Sequence, residues 1–189
     1  MRIGLFFGTY NPVHTGHLII ANYMVEYTDI DQLWFIISPH NPLKDKKTLL
    51  NKKQRLYMVN VAVEDNYKLL TSRVEFDLPQ PSYTIDTLTY LKEQHPDHSF
   101  VLIMGSDNLE TLPRWKNYEV LLDNYDIYVY NRAGSDNALK DHSHVKFFDV
   151  HLINISASYL RNAIKEGRSV RYLIPDKALQ YIEDLGLYK

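Results

Sequence analysis

Short runs of continuously apolar residues recur along the chain, and longer segments with helical periodicity separate them. Such runs predict strands buried on both faces, because a half-exposed strand would alternate apolar and polar positions. The first run, Ile3–Phe7, ends at Gly8, and the clearest is Phe100–Met104. The predicted strands are Ile3–Phe7, Leu33–Ile37, Leu69–Val74, Phe100–Met104, Ile127–Tyr130 and a last strand region over Val145–Phe148 and His151–Ile155.

Helices are predicted between these strands from apolar spacing and from residues suited to helix ends. Asn51 caps one helix, Ser82 or Thr84 caps another, and Gly167 and Gly186 end the last two. The predicted helices are Gly16–Tyr27, a segment from Asn51 through Val63, one ending near His95, one containing Val120, Leu121 and Leu122, then Ser158–Glu166 and a last one from Pro175.

Because strands and helices alternate, the pattern predicts right-handed βαβ units and therefore an α/β fold. We expect a doubly wound parallel sheet with helices on both faces, a C-terminal helical piece, and a single domain spanning 1–189. Residues 133–144 are small and polar, which predicts an exposed loop.

Composition says little about the fold but restricts the kinds of partner that we expect. Of the 189 residues, 45% are hydrophobic and 23% charged, which are ordinary globular proportions. A formal net charge of −2 makes a nucleic-acid partner unexpected. No apolar run is long enough to cross a membrane, and the lack of cysteine excludes disulfides and thiolate metal sites. We therefore expect a cytoplasmic protein that binds small molecules.

The loop from Gly8 to His17 carries the first candidate chemistry. It leads from a strand into a helix, so helix N–H groups and the positive end of the dipole would face a bound anion. Gly8 and Gly16 would let the main chain approach a phosphate, and His14 and His17 would share one side of the helix start. This pattern favours phosphate binding, although surface, capping or metal-ligating histidines remain alternatives. The P-loop and dinucleotide glycine patterns are absent.

A second candidate phosphate site lies far along the chain, in the segment from Ile155 to Arg161. Serines at Ser156 and Ser158 can cap a helix and donate to a phosphate, while the helix dipole favours the anion. Arg161 lies three residues after Ser158 and can return to that helix end as a planar charged fork. The alternative is an ordinary cap followed by a solvated arginine.

These two segments resemble the G-T-F-[DN]-P-x-H-x-G-H and I-S-[ST]-[ST]-x-[IL]-R motifs of the H-x-G-H nucleotidyltransferase superfamily, whose sheet is Rossmann-like. Phe7 and Ala157 depart from its usual pattern. The resemblance implies that His14 and His17 bind nucleotide phosphates and stabilise the transition state, with Ser158 and Arg161 gripping the triphosphate. The ATP-binding residues it implies are Gly8, Thr9, Tyr10, Gly16, Gly105, Asp107 and Ser156.

Further segments resemble the nicotinate mononucleotide adenylyltransferase family. They are Pro81–Leu88 (P-S-Y-T-x-x-T-L), Gly105–Asn108 (G-x-D-[SN]), Leu112–Trp115 ([LF]-P-x-W), Arg132–Gly134 and the C-terminal Ile174–Tyr188. The acceptor-binding residues implied are Asn11, Asn41, Lys44, Thr84 and Trp115, the second and third in a Pro39–Lys44 loop that departs from the family pattern. From the residues alone, Trp115 could instead pack in the core, Thr84 could be a simple cap, and Asp107 could close a turn.

The resemblance implies transfer of AMP from ATP to nicotinate mononucleotide, giving deamido-NAD and pyrophosphate, a step of NAD biosynthesis. Mg²⁺ is expected to arrive with ATP, because no cluster for a permanent protein metal site is apparent in the sequence. The alternatives are an enzyme acting on nicotinamide mononucleotide or phosphopantetheine, a cytidylyltransferase, and a non-catalytic nucleotide-binding module. The sequence leaves the oligomeric state open, and a homo-oligomer is compatible with it.

Overall fold

One of the two central strands of the sheet is β1 (Arg2–Gly8), which contains the first apolar run of the sequence. The computed structural model describes residues 1–39, 48–130 and 139–189. Within these residues six strands form one parallel sheet in the order β3-β2-β1-β4-β5-β6. The other strands are β2 (Gln32–Ile37), β3 (Leu69–Ser72), β4 (Ser99–Gly105), β5 (Asp126–Tyr130) and β6 (Val145–Phe148). The doubly wound parallel sheet predicted from the sequence is confirmed.

Helices connect the strands and cover both faces of the sheet. Within the described ranges they are α1 (Thr15–Tyr27), α2 (Lys52–Val63), α3 (Thr84–Gln94), α4 (Ser106–Thr111), α5 (Tyr118–Asn124), α6 (Ala157–Lys165) and α7 (Asp176–Asp184), with 3₁₀ turns at Val74–Phe76 and Leu112–Arg114. None of the helices in these ranges has the length and apolar character needed to cross a membrane.

Alternate residues of the central strands enter two different cores. Ile3 and Leu5 pack with α3 and α5 residues such as Leu88 and Leu121 on one face. Phe6 packs on the other face, in a core to which α1, α2, α6 and α7 contribute. Both faces are covered, which explains why the strands are continuously apolar rather than alternating.

The strand order reverses beside β1, because the chain moves outward through β2 and β3 and then returns to β4 on the other side of β1. In doubly wound sheets a crevice opens at such a point beyond the carboxyl ends of the strands. Here β1 and β4 end at Gly8 and Gly105, so the loops that follow them are brought to the same crevice.

Several predicted boundaries require correction. The third strand ends at Ser72, and Val74 lies in a 3₁₀ turn. Residues 151–155 do not form a strand. The N-cap of α3 is Tyr83, without a side-chain cap, rather than Ser82 or Thr84, because its extended backbone places Thr84 inside the first turn. The predicted cap at Asn51 is confirmed by its bond from the Lys53 N–H.

Candidate active site

A cavity of about 880 Å³ opens at the carboxyl ends of β1 and β4. Its walls come from the loop after β1, the end of β2, the segment before α3, α4 with its following turn, and the start of α6. Among the predicted site residues, those that line it are Gly8, Thr9, Tyr10, Asn11, His14, Gly16, His17, Thr84, Asp107, Trp115, Ser156, Ser158 and Arg161. Segments more than a hundred residues apart therefore meet around one space.

The two histidines stack on each other at the start of α1. Their ring centroids are 3.7 Å apart, with an angle of 25° between the planes. The His14 backbone N–H donates to Nδ1 of His17 across 3.2 Å, so Nδ1 is the acceptor nitrogen and Nε2 carries the proton in the neutral ring. A side chain at Gly16 would come within 3.1 Å of the His14 ring. Gly16 therefore leaves room for the histidine pair.

The loop before the histidines is anchored inward by Tyr10. Its side chain is only 2% exposed, and its hydroxyl donates to the Phe6 carbonyl at 2.5 Å. Burial raises the pKa of Tyr10 well above its ordinary value, so the hydroxyl stays protonated. A side chain at Gly8 would collide with the Tyr10 ring at 2.7 Å. The ring of Tyr10 is thus part of the core, although the residue also lines the cavity.

The start of α1 offers fewer N–H groups to an anion than the sequence suggested. The Thr15 N–H donates to the Leu173 carbonyl at 2.9 Å, and the His17 N–H donates to the His14 carbonyl at 2.9 Å. Both donors are therefore taken by the protein itself. Gly16 and the two histidines nevertheless line this part of the cavity.

Arg161 joins the two predicted phosphate-binding segments. One of its guanidinium nitrogens donates to the Asn11 carbonyl at 2.8 Å, and the other donates to the Ser158 hydroxyl at 3.2 Å. Ser156 is the N-cap of α6 and accepts from the Tyr159 N–H at 3.2 Å. The contact between residues 11 and 161 places the start of α6 beside the loop after β1, as the two motifs require.

Asp107 lines the cavity just after β4, whereas the predicted ATP-binding residue Gly105 is the buried last residue of that strand and is not part of the lining. A side chain at Gly105 would lie 2.4 Å from Oδ1 of Asp107 and 3.2 Å from the Tyr130 ring. Glycine therefore lets the Asp107 carboxylate fold back over the strand end. Asp107 is exposed and stands in the first turn of α4, where it lines the cavity.

Asn11, a predicted acceptor-binding residue, lines the cavity, and its side chain is hydrogen-bonded within the protein. Its Nδ2 donates to the Thr48 carbonyl at 2.8 Å, and its Oδ1 accepts from the Leu50 N–H at 3.2 Å and from the Tyr188 hydroxyl at 2.8 Å. Through these hydrogen bonds, the Asn11 side chain connects the loop after β1 to Thr48 and Leu50 before α2 and to Tyr188 after α7. Two other predicted acceptor residues, Asn41 and Lys44, lie outside the described residues, as does the Arg132–Gly134 segment.

Thr84 and Trp115, which the sequence predicts to bind the acceptor, both line the cavity. The Trp115 ring is partly buried against the core on the α3 face and also lines the cavity, so core packing and ring stacking are compatible here. The neighbouring Lys116 is paired with Asp86 at 2.8 Å and lies 4.8 Å from the centre of the Tyr83 ring. The start of α3 therefore has an ammonium group close by.

Two buried charged residues that the sequence interpretation missed hold the loops around this end. Glu75 is 3% exposed, lines the cavity and accepts from the Thr87 hydroxyl at 3.0 Å. Burial raises the pKa of Glu75, while the nearby hydroxyl groups of Ser38, Thr87 and Ser82 work in the opposite direction. The carboxyl group thus links the end of β2 with the start of α3.

The second is Arg55 of α2, whose side chain is completely buried. It donates to the carbonyls of Thr9 at 2.5 Å, Ser38 at 2.8 Å, Pro39 at 2.8 Å and Leu50 at 3.0 Å. Burial lowers the pKa of Arg55 to about 10. One feature of the sequence could have identified Arg55 as buried. It lies between Lys52 and Val59, on the face of α2 that carries the apolar residues.

The described residues contain no group of three or more histidine, cysteine, aspartate or glutamate side chains that could hold a metal ion. The polar side chains that line the cavity include two imidazoles, several hydroxyls, the cationic groups of Arg114, Lys116 and Arg161, and the carboxylates of Glu75 and Asp107. The hydrogen-bond donors among these suit phosphate oxygens.

The comparisons with known proteins first define the class, since residues 5–163 match the cytidylyltransferase-like family. A probable nicotinate-nucleotide adenylyltransferase of Flavobacterium johnsoniae is 53% identical and covers 100% of both chains. One of Cytophaga hutchinsonii is 48% identical over 96% of this chain and 95% of its own. The chain therefore belongs to the nicotinate-nucleotide adenylyltransferase family.

Solved structures agree with this fold. Plasmodium falciparum nicotinic acid mononucleotide adenylyltransferase complexed with NaAD superimposes with a TM-score of 0.83 at 19% identity, covering 99% of this chain and 97% of that one. The same enzyme complexed with APC gives a TM-score of 0.81 at 18% identity, over 99% of this chain and 96% of that one. At these identities the likeness supports the architecture.

Proposed function

We propose that this chain transfers AMP from ATP to nicotinate mononucleotide, giving deamido-NAD and pyrophosphate. The observation that carries the proposal is the bond from Arg161 to the Asn11 carbonyl, which joins the two phosphate-binding segments at one end of a cavity. Trp115 and Thr84 line the same cavity and are suited to a flat ring with a charged substituent. Its relatives are named for this activity.

In the proposed reaction a phosphate oxygen of the mononucleotide attacks the α-phosphorus of ATP, and pyrophosphate leaves from the opposite side. The attacking phosphate monoester is already anionic at neutral pH, so the chain needs no general base. Catalysis then consists of positioning and of neutralising charge in the transition state. His14, His17, Ser158 and Arg161 are the proposed donors, because they surround the same part of the cavity.

The hydrogen bonds within the site support this division of roles. His17 accepts at Nδ1 and is therefore set to donate from Nε2. Arg161 is held by Ser158 and Asn11, so its planar fork is oriented before a phosphate binds. We propose Gly8, Thr9, Tyr10, Gly16, Gly105, Asp107 and Ser156 as the ATP-binding surface, with Tyr10 acting through its backbone.

Asn11, Thr84 and Trp115 are the proposed acceptor-binding residues among those described. Asn41 and Lys44 remain proposals for the mononucleotide phosphate. We propose that Mg²⁺ arrives with ATP, because this ion keeps several waters and binds mainly through substrate phosphates. It would neutralise charge on the departing pyrophosphate, while the side chains above orient the reacting groups.

The test is pyrophosphate release from ATP and Mg²⁺ with each of three acceptors: nicotinate mononucleotide, nicotinamide mononucleotide and phosphopantetheine. We expect release with nicotinate mononucleotide at the highest kcat/KM. A higher kcat/KM with another acceptor would show that nicotinate mononucleotide is not the preferred substrate. ATP binding without turnover on any acceptor would show that the chain is a non-catalytic module. Light scattering of the same sample measures whether it is a homo-oligomer.

A further inference from the structure

The C-terminal part of the chain returns to the loop that carries the two histidines and contacts it at two points. At the first, the Thr15 N–H and hydroxyl donate to the Leu173 carbonyl at 2.9 and 3.1 Å. At the second, the Tyr188 hydroxyl donates to Oδ1 of Asn11 at 2.8 Å. Both ends of the segment from Asn11 to Thr15 are therefore tied to residues that follow α6.

Tyr188 is placed for this contact by its backbone and its surroundings. Gly186 and Tyr188 both have positive φ angles, of 60° and 66°, which turn the chain back after α7. Its side chain packs on the core below the site. Burial raises the pKa of the Tyr188 hydroxyl, and the nearby Arg161 and Arg55 only partly oppose this. The hydroxyl therefore remains a hydrogen-bond donor at neutral pH.

Asn11 passes this contact on to the phosphate site. Its side-chain oxygen receives Tyr188, and its backbone carbonyl receives the guanidinium of Arg161 at 2.8 Å. The other side-chain bonds of Asn11, to Thr48 and Leu50, fix the plane of its amide but touch no proposed catalytic group. A short path of hydrogen bonds thus runs from Tyr188 through Asn11 to Arg161.

We propose that Tyr188 is a positioning residue for Arg161, acting through Asn11 to hold the guanidinium where it meets the ATP phosphates. The inference rests on the proposed function, in that Arg161 is taken to bind the triphosphate. Tyr188 itself need not touch substrate. Substituting Tyr188 should therefore weaken the steps in which Arg161 binds phosphate. The same substitution should have little effect when Arg161 is replaced by a residue without a guanidinium group.

The experiment compares Tyr188→Phe in two backgrounds, wild type and Arg161→Lys. Losing one hydrogen bond of this kind should lower kcat/KM for ATP about 5-fold in the wild-type background. In the Arg161→Lys background the same change should cost less than about 1.5-fold, since coupled residues are not additive. Tyr172→Phe is the matched control, because that ring is 80% exposed in the same part of the chain and should leave kcat/KM unchanged.

Two results would overturn the inference: an unchanged kcat/KM in Tyr188→Phe, or the same loss in both backgrounds. A loss equal in both backgrounds with a lowered unfolding temperature would make Tyr188 a purely structural residue. Calorimetric titration of each variant with Mg²⁺ and ATP separates this test from the proposed reaction. If the wild type binds ATP but forms no product with nicotinate mononucleotide, the proposed function fails, and the ratio of ATP dissociation constants still decides the role of Tyr188.

Discussion

The two ends of the cavity are built differently. At the proposed phosphate end, the stacked His14 and His17 and the bridging Arg161 are already held by contacts within the protein. At the proposed acceptor end, Trp115 is only partly buried and Lys116 is held by an exposed ion pair. Donors that neutralise transition-state charge gain most from being fixed in advance. Residues that only select the acceptor can remain more exposed.

The largest expected effect tests the phosphate end. His17→Ala removes a donor from the site of phosphoryl charge and should lower kcat about 100-fold or more. The measurement is steady-state pyrophosphate release at saturating concentrations of both substrates. Turnover near the wild-type rate would mean that the stacked imidazoles have only a structural role.

At the acceptor end, the stacking function of Trp115 can be separated from its packing function. Trp115→Ala should raise KM for nicotinate mononucleotide about 10-fold, because ring stacking contributes around 1 kcal/mol beyond burial. KM for ATP should change much less, and it serves as the internal control. Equal increases in both KM values would show that the tryptophan mainly supports the turn.

A smaller effect is expected at Lys116, whose ammonium group lies near the start of α3. Lys116→Met should raise KM for nicotinate mononucleotide about 3-fold, in the range of an exposed charge pair. KM for the uncharged nicotinamide ring should not change, and raising the salt concentration should reduce the difference between wild type and variant. Equal increases in KM for nicotinate and nicotinamide mononucleotide would show that Lys116 does not select the acceptor by charge.

A charged cluster at the amino ends of the strands, opposite the cavity, serves as a control for effects on stability. Asp126 at the start of β5 accepts from Arg2 and pairs with Nδ1 of His144 at 2.9 Å. Burial alone would raise the pKa of Asp126, but these partners outweigh it and lower the pKa. The stabilisation is thus present above the ordinary aspartate pKa and is lost as pH falls through the lower folded value.

Asp126→Asn should therefore reduce the free energy of unfolding by about 1 kcal/mol at pH 7 and flatten its pH dependence below about pH 4. Urea unfolding at several pH values measures both. Activity at pH 7 should be unchanged, since this cluster lies at the amino ends of the strands. A loss of kcat would contradict the separation of this edge from the site.

Local patterns predicted the elements well where a single physical cause dominated. The apolar runs became buried strands, Asn51 capped α2, and Gly167 and Gly186 took positive φ angles near the ends of α6 and α7. The prediction of a side-chain cap at Ser82 or Thr84 was wrong, because the extended backbone of Tyr83 makes that residue the N-cap and places Thr84 inside the helix. Capping potential in a sequence does not establish which residue occupies the cap.

Side-chain direction in the site could not be predicted in the same way. Tyr10 and Asn11 belong to the phosphate-binding segment by sequence, yet the tyrosine side chain points into the core and that of the asparagine into the supporting loops. Glu75 gives no local signal of a site, and Arg55 gives only its place on the apolar face of α2, because each acquires its role from partners on other elements. Such partners are known only when the loops have been brought together.

The sequence by itself determined the alternation of strands and helices, the two phosphate-binding segments, and, through resemblance, the class of reaction. These depend on residue type and spacing within short stretches of chain. Three hydrogen bonds were decided only by the tertiary structure. Arg161 donates to the Asn11 carbonyl, the Thr15 N–H donates to the Leu173 carbonyl, and the Tyr188 hydroxyl donates to the Asn11 side chain. The physical reason is that these contacts join residues about 150 or more positions apart, which only the reversal of strand order and the packing of the last helices bring within hydrogen-bond distance.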